Sequence, residues 1–231
     1  MRFELITLFP GAFQGFLRVS LISKARERKL LSVHLHDPRR FGQGAHAQVD
    51  ERPYGGGPGM VLMAEPIYQT LRLIKRQCPI KGPNIRLILS ARGERLTAQR
   101  AKHLATKCQI TLLCGHYEGV DERIRGYFDQ EVSIGDFITM GGEVPAMAII
   151  EAVSRFIPGV LGEPQSAQEE SFLLKEKGRP LLEWPAFTRP EHWRGQSVPK
   201  ILLQGHHGKI ALWRRDQALA LTQERRQDLL K

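Results

Sequence analysis

The stretch that decides the fold is Gln109-Ile110-Thr111-Leu112-Leu113-Cys114-Gly115-His116-Tyr117-Glu118-Gly119-Val120-Asp121-Glu122-Arg123. Its first six residues form a near-continuous apolar run closed by a glycine, the pattern of a strand covered on both faces. Working outward, Phe3–Leu8 (FELITL, closed by Pro10-Gly11), Ser32–His36 (SVHLH, ended by Asp37-Pro38) and Asn84–Ser90 (NIRLILS) read as strands, with a shorter one at Glu131–Ile134. Between them lie helical patterns. Phe16–Leu31 has its apolar residues near one face, and Pro66–Gln77 carries proline in its first turn. Thr97–Lys107 has Thr97 as N-cap, and Glu143–Phe156 completes the set. Strands alternating with helices predict an α/β fold built on a mostly parallel sheet with helices on both faces. Ligands of such sheets sit beyond the carboxyl ends of the strands. The loops there are Ser90–Gly93, Gly115–Gly119 and Ile134-Gly135-Asp136 through Gly141-Gly142-Glu143.

Composition narrows the function classes. In 231 residues, 42% are hydrophobic and 25% charged, which is globular rather than disordered. No apolar run approaches the roughly 18 residues of a membrane helix, and the N-terminus lacks signal-peptide features. Cys78, Cys108 and Cys114 have no CxxC spacing, against a disulfide scaffold or a zinc knuckle. The chain is expected in the cytoplasm. The net charge of +10 is uneven. Residues 71–109 hold ten basic groups against Glu94, and residues 175–231 hold twelve against six acids. Residues 110–170 reverse the sign, with eleven acids against Arg123, Arg125 and Arg155. A basic body around an acidic centre suits a polyanion outside and something else within. Solvated helix faces would give the same count.

After Phe156-Ile157-Pro158-Gly159 the pattern changes to a proline-rich stretch without periodicity up to Pro190, read as a linker. Beyond it, Lys209–Arg225 is a basic helix bearing Trp213. The expected domains are therefore 1–160, a linker 161–190 and a C-terminal helical domain 191–231.

Three glycine-rich motifs carry the chemistry. Pro53-Tyr54-Gly55-Gly56-Gly57-Pro58-Gly59-Met60 would let a ligand approach backbone N–H groups, yet it reads equally as a surface loop. It is no Walker A loop, and the chain has no GxGxxG. In Gly115–Arg123, Glu118 could meet a cation, although the acids would also suit a helix start. The loop Ser133–Glu143 could hold an adenine-like ring flat on its glycines, or could simply hinge a helix. Arg155 stands four residues after Glu151, an ordinary i,i+4 pair on spacing alone. The eight histidines show no metal spacing.

RPYGGGPGM (Arg52–Met60), CGHYEGVDER (Cys114–Arg123), SIGDFITMGGEVPAM (Ser133–Met147) and VSRFIPGVLG (Val153–Gly162) occur in one order at one spacing. Together they closely resemble the bacterial tRNA (guanine-N1-)-methyltransferases of the SPOUT superfamily, from Leu8–Pro10 through Phe187–Pro190 to the C-terminal helices. The resemblance implies a trefoil knot around residues 85–145 and a homodimer with each site built from both chains. It implies S-adenosylmethionine bound by Leu89, Ser90, Gly115, His116, Tyr117, Glu118, Ile134, Gly135, Asp136, Phe137, Ile138, Thr139, Gly141, Gly142 and Pro145. Glu118 would stand near the donor's positive charge. Tyr54, Gly55, Gly56, Gly57 and Gly59 would wall the guanine pocket. The family's base is an aspartate in a Glu-Asp-Ser-Phe string. Here that string is Glu169-Glu170-Ser171-Phe172, which puts Glu170 at that position, and Arg155 matches the arginine that meets the guanine. The implied reaction is methyl transfer to N1 of guanosine 37, 3′ of the anticodon. It would depend on Mg²⁺, with the anticodon branch held by the basic C-terminal helices; neither DNA nor a membrane is an expected partner. A fold-sharing RNA binder with lost or retargeted transfer is the alternative, since Glu170 adds a methylene to the family's base.

Overall fold

The computed structural model describes residues 1–77, 82–162 and 169–231; Cys78 and residues 163–168 of the expected linker lie outside them. Five strands form one parallel sheet: β1 (Arg2–Ile6), β2 (Ser32–His36), β3 (Asn84–Arg95), β4 (Gln109–Cys114) and β5 (Gln130–Ser133), in the order β2-β1-β4-β3-β5. Every residue of β4 is buried, as its apolar run requires. One face carries Phe3, Leu5, Leu87, Ile110 and Leu112, all inaccessible to solvent, under α3 (Ala98–Leu104, numbered among the helices below) and its neighbours. The other carries Ile6, Ile88 and Leu113 under α2. Burying each such side chain contributes about 2 kcal/mol. The parallel α/β sheet covered on both faces is the fold expected from the sequence.

The helices are α1 (Ser20–Glu27), α2 (Ala64–Gln77), α3 (Ala98–Leu104), α4 (Glu143–Ser154) and α5 (His207–Arg225). Thr97 caps α3 by accepting from the Arg100 N–H at 3.2 Å. The single helix read over Phe16–Leu31 is instead a 3₁₀ turn, Phe16–Arg18, followed by α1. Val19 between them is extended, the backbone its β-branched side chain favours, so both pieces can bury apolar residues (Leu17, then Ile22 and Ala25). α1 ends in a Schellman motif. Lys29, at φ +58, donates to the Arg26 carbonyl at 2.9 Å, and Leu30 donates to that of Ala25 at 2.9 Å.

The second correction lies in β3. The strand does not stop at Ser90 but runs through Ser90–Gly93 to Arg95, with a shift in register against β5 between Leu89 and Glu94. Gly93 permits this: a Cβ there would lie 2.4 Å from the Val132 nitrogen. An irregular extended strand takes the place of the expected loop.

The N-terminal half of one sheet face is polar. Arg2, Glu4, His34, Gln109, Thr111 and Arg86 occupy in-register positions where apolar residues would be usual. Glu4 is fully buried, with Arg2 and His36 on its two oxygens. Burial alone would raise its carboxyl, but these hydrogen bonds hold it below the ordinary value.

The chain divides into two compact units, Met1–Gly162 and Glu163–Lys231. The second unit is built on α5. Two hairpins, Lys175–Glu176 with Arg179–Pro180 and His192–Trp193 with Gln196–Ser197, turn on Lys177-Gly178 and Arg194-Gly195, all four at positive φ. That is the two-residue turn matching strand twist. Leu181 is buried, and the Leu182 N–H donates to Thr222 Oγ1 of α5 at 2.9 Å. The proline-rich stretch is thus tied to α5 by at least this bond. Arg214 stacks on Trp184 at 4.9 Å, and Arg215 pairs with Glu176 at 2.6 Å.

Candidate active site

The carboxyl ends of β3, β4 and β5 open into a cavity of about 430 Å³. Three segments build it: the irregular part of β3, the Gly115–Val120 turn after β4, and Ile134 through Gly142 leading into α4. Close approach of backbones explains the glycines. A Cβ on Gly142 would lie 2.5 Å from Cys114 Cα, and one on Gly141 would overlap His116 Nε2 at 2.2 Å. The Gly142 N–H donates to the Gly115 carbonyl at 2.8 Å, locking the two loops together. Gly142 is therefore a contact between main chains, and Gly141 leaves room for the His116 and Glu143 side chains.

Of the residues expected to cradle a methyl donor, all but Gly135 and Asp136 line this cavity. Those two are not among its lining residues, and Asp136 is exposed to solvent. A Cβ on Gly135 would strike the Phe137 ring at 2.5 Å, so this glycine makes room for a lining side chain. Asp136 pairs with Arg95. Tyr117 holds φ +57, a costly backbone for an aromatic residue, at the centre of the Gly115–Gly119 turn.

The acids of the region divide into paired and unpaired. Glu122 meets Arg92 at 3.5 Å, Glu131 meets Arg125 at 3.0 Å, and Asp121 is chelated by Arg123, whose hydrogen bonds hold its carboxyl below the ordinary range. Glu118 lines the cavity without an ion-pair or hydrogen-bond partner for its carboxylate among the described residues. Its backbone N–H is anchored on the Met60 carbonyl at 3.0 Å. Of the acidic centre read from the sequence, Asp121, Glu122, Asp129, Glu131 and Asp136 are paired with arginines, whereas the Glu118 carboxylate lines the cavity.

Sequence reading missed the support under His116. Glu143, on the first turn of α4 and nearly buried, accepts from Thr7 Oγ1 at 2.7 Å and stands 3.3 Å from His116 Nε2. Phe9 packs on the His116 ring at 4.8 Å. Thr7 and Phe9 follow β1, far from His116 in sequence, so no local pattern signals them. Arg92, Glu122, Val61 and Val120 line the cavity as well and were likewise unforeseen. Burial with the Glu143 charge nearby pushes the Cys114 thiol well up, so it is no nucleophile.

Tyr54 and Gly55–Gly57 lie outside the cavity, and Tyr54 is fully exposed. The end of their loop touches the site: a Cβ on Gly59 would lie 2.6 Å from Glu118 Oε1. Arg155 is the C-cap of α4, whose opposite end lines the cavity through Gly142 and Pro145. Twelve helical residues span about 18 Å, so Arg155 stands remote from its own chain's cavity. Glu170 lies in the second unit, where its carbonyl accepts from the Leu173 and Leu174 N–H groups. Among the described residues no three His, Cys, Asp or Glu side chains converge on a metal position, and no helix is long and apolar enough to cross a membrane.

The sequence matches the tRNA (Guanine-1)-methyltransferase TrmD family model over residues 1–231. It is 46% identical to the tRNA (guanine-N(1)-)-methyltransferase of Moorella thermoacetica over 231 residues, all of this chain and 90% of that protein. The enzyme of the same name from Caldanaerobacter subterraneus is 47% identical, covering all of this chain and 92% of the relative. That of Chloroflexus aurantiacus is 44% identical, covering 88% of the relative. A match along the whole length establishes that the chain belongs to the tRNA (guanine-N1-)-methyltransferase family.

Proposed function

We propose that the protein transfers the methyl group of S-adenosylmethionine to N1 of guanosine 37 in tRNA, in the cytoplasm. The observation that carries this is the convergence of two glycine-rich loops and the irregular part of β3 on one cavity, beside a carboxylate that has no partner among the described residues. The cavity suits the donor. Leu89, Ile134, Phe137 and Ile138 offer apolar walls, the glycines expose backbone groups to an adenine edge, and Glu118 answers the positive charge. The donor supplies an electrophilic methyl group on a sulfonium.

Guanine N1 carries a proton and is a poor nucleophile until it leaves. Glu170 removes that proton, and the Arg155 guanidinium stabilises the charge that develops on O6. Glycines 55, 56, 57 and 59, with Tyr54, border the guanine, and Gly59 ties that border to Glu118. The remaining gain is positioning, since holding N1 in line with the methyl group removes an entropic barrier.

Each site takes Arg155 from a second copy of the chain, and the length of α4 supports this. So does a second, shallower cavity of about 960 Å³, lined by Phe9, Ile138, Met140 and Val144 at the mouth of the first. Met140 is 96% exposed, and such an apolar patch suits a partner protomer. A knotted domain 1–160, a linker 161–190 bearing Glu170 and a tRNA-binding domain 191–231 follow from the family reading. Trp193 under Arg194 and Trp184 under Arg214 suit RNA, with rings that stack on bases and guanidiniums that meet phosphates. Mg²⁺, which the family resemblance implies, finds no carboxylate cage among the described residues.

The test is transfer of labelled methyl to unmodified tRNA transcripts with and without guanosine 37. Transfer that needs this base is expected, together with its loss in Glu170→Gln while donor binding persists. Near-normal turnover by Glu170→Gln would remove that residue from the mechanism. Donor binding without transfer to any transcript would favour an RNA-binding role.

A further inference from the structure

Within the basic run over residues 71–109, Arg92 lines the donor cavity and Arg95 pairs with Asp136, but Arg72, Lys75, Arg76 and Arg86 have no part in that site. These four cations line a separate cavity of about 720 Å³, together with Tyr68, Leu71 and Ile74 of α2, Asn84 of β3, Gln109 and Thr111 of β4, and Tyr127. This cavity and the donor cavity share no residue. They lie at opposite ends of the same strands, and from Gln109 to Gly115 β4 climbs about 20 Å.

Three features mark the cavity as built for a ligand. Positions 68, 72, 75 and 76 follow the i, i+4, i+3 spacing of one helix face, which brings Arg72, Lys75 and Arg76 together. Among the described residues these three cations have no carboxylate partner, and such like-charge neighbours weaken a helix. The dipole at the end of α2 explains Lys75 and Arg76 in the last turn but not Arg72, a turn earlier. Across the cavity Arg86 adds a fourth cation, 3.9 Å from Asp129.

Gln109 is 93% buried, from its 7% exposure, lines the cavity, and leaves Oε1 without a hydrogen-bond partner among the described residues. Its Nε2 sits 3.3 Å from Thr111 Oγ1, a hydroxyl that donates or accepts. A buried amide with an open position costs stability until a ligand fills it. Finally, Tyr68 and Tyr127 pack at 4.9 Å, and Tyr127 keeps 45% of its surface exposed, a free aromatic edge beside the cations.

Cations, an aromatic ring and an unsatisfied amide together recognise one chemistry. We propose that this cavity binds a nucleotide. Its phosphate lies on Arg72, Lys75, Arg76 and Arg86, its base lies against Tyr127, and Gln109 reads the base edge. The nucleotide is either free or a residue of bound RNA. The RNA source rests on the tRNA reading above; the free source does not.

The experiment uses the full chain saturated with S-adenosylhomocysteine, so that an adenine probe cannot enter the donor cavity. Adenosine 5′-monophosphate is titrated calorimetrically, and binding of a full-length tRNA transcript is followed against salt. Both are repeated with the triple variant Arg72→Gln/Lys75→Gln/Arg76→Gln and with Gln109→Leu. If the nucleotide is free, the wild type binds the monophosphate, the triple variant loses at least tenfold, and tRNA binding is unchanged. If it belongs to RNA, the triple variant binds tRNA with a salt slope shallower by about one per cation contacting phosphate. In either case Gln109→Leu weakens binding without changing that slope. The proposal is overturned if neither probe distinguishes the triple variant from wild type while both proteins bind S-adenosylhomocysteine equally. Methyl transfer is assayed on the same proteins. A wild type that methylates no tRNA defeats the functional reading alone, because the monophosphate titration stands without it.

Discussion

The two ends of the central strands are chemical opposites. At the carboxyl ends of β3, β4 and β5 the backbone is exposed by glycines, the walls are apolar, and the open charge is a carboxylate, Glu118. At the amino ends the strand residues themselves are polar, one carboxylate is sealed away between Arg2 and His36, and the open charges are cations. Packing one sheet thus leaves a carboxylate lining a cavity at one end and cations lining a cavity at the other. The strand direction fixes which end offers loops. Side-chain choice at alternate positions fixes which offers charge.

The largest effect expected at the carboxyl end comes from adding one methyl group. Gly142→Ala places Cβ against Cys114 Cα in a fully buried strand, where neither backbone can yield cheaply. Overpacking of this kind costs about 3 kcal/mol. Donor affinity should fall about a hundredfold with it, measured by calorimetry beside a denaturant melt. Normal affinity would show that the two loops separate without harming the site.

Next in size is Glu118→Gln, which keeps the shape of the carboxylate and removes its charge. Affinity for S-adenosylmethionine should drop about tenfold, in line with a lost charge-assisted contact. S-adenosylhomocysteine sharpens the result, since it keeps the ammonium and lacks the sulfonium. An equal loss for both ligands locates Glu118 at the ammonium, and a loss for the methyl donor alone locates it at the sulfur. Unchanged affinity for both would take Glu118 out of the site.

At the amino end the expected signature is a pH dependence of stability. Burial holds the His34 imidazole below its ordinary value of 6.5, and its Nε2 has no hydrogen-bond partner among the described residues. The unfolded chain therefore takes up this proton before the folded one, and stability falls as pH drops below 6.5 toward the lower folded value. Glu4, held below its ordinary 4.5, adds a second loss further into acid, as pH falls through its depressed value. Denaturant melts between pH 7.5 and 5 should show the first loss, and His34→Gln should abolish it. A variant that keeps the slope would assign it to another group.

Much of the contrast could be read in the sequence, though unevenly. The buried strand Gln109–Cys114 and the alternating strand Ser32–His36 have the predicted bounds because their patterns end at glycine or proline punctuation. Ser90–Gly93 did not read as strand, since a glycine that permits close approach looks the same in sequence as one that permits a turn. The hairpins at Lys177-Gly178 and Arg194-Gly195 were signalled only by a residue–glycine pair between very short strands, too faint against the surrounding prolines. Most of the donor loops could be identified because glycine strings are rare and local. The Thr7–Glu143–His116 group could not, because it joins residues 136 positions apart through tertiary packing.

The smallest effect expected comes from the glycines that face nothing. A Cβ on Gly56 meets no atom within 4 Å, and the only obstacle is its φ of +79. Gly56→Ala should therefore cost about 1 kcal/mol through left-handed backbone alone, spent locally in an exposed loop. Donor affinity should stay within twofold of wild type, in contrast to Gly142→Ala. Where the loop borders the guanine, the cost appears instead as a several-fold fall in kcat/KM for tRNA with kcat for bound substrate little altered. Loss of donor affinity in Gly56→Ala would mean that the loop's backbone, through Gly59 and Glu118, holds the cavity open, and the two kinds of glycine would then serve one site.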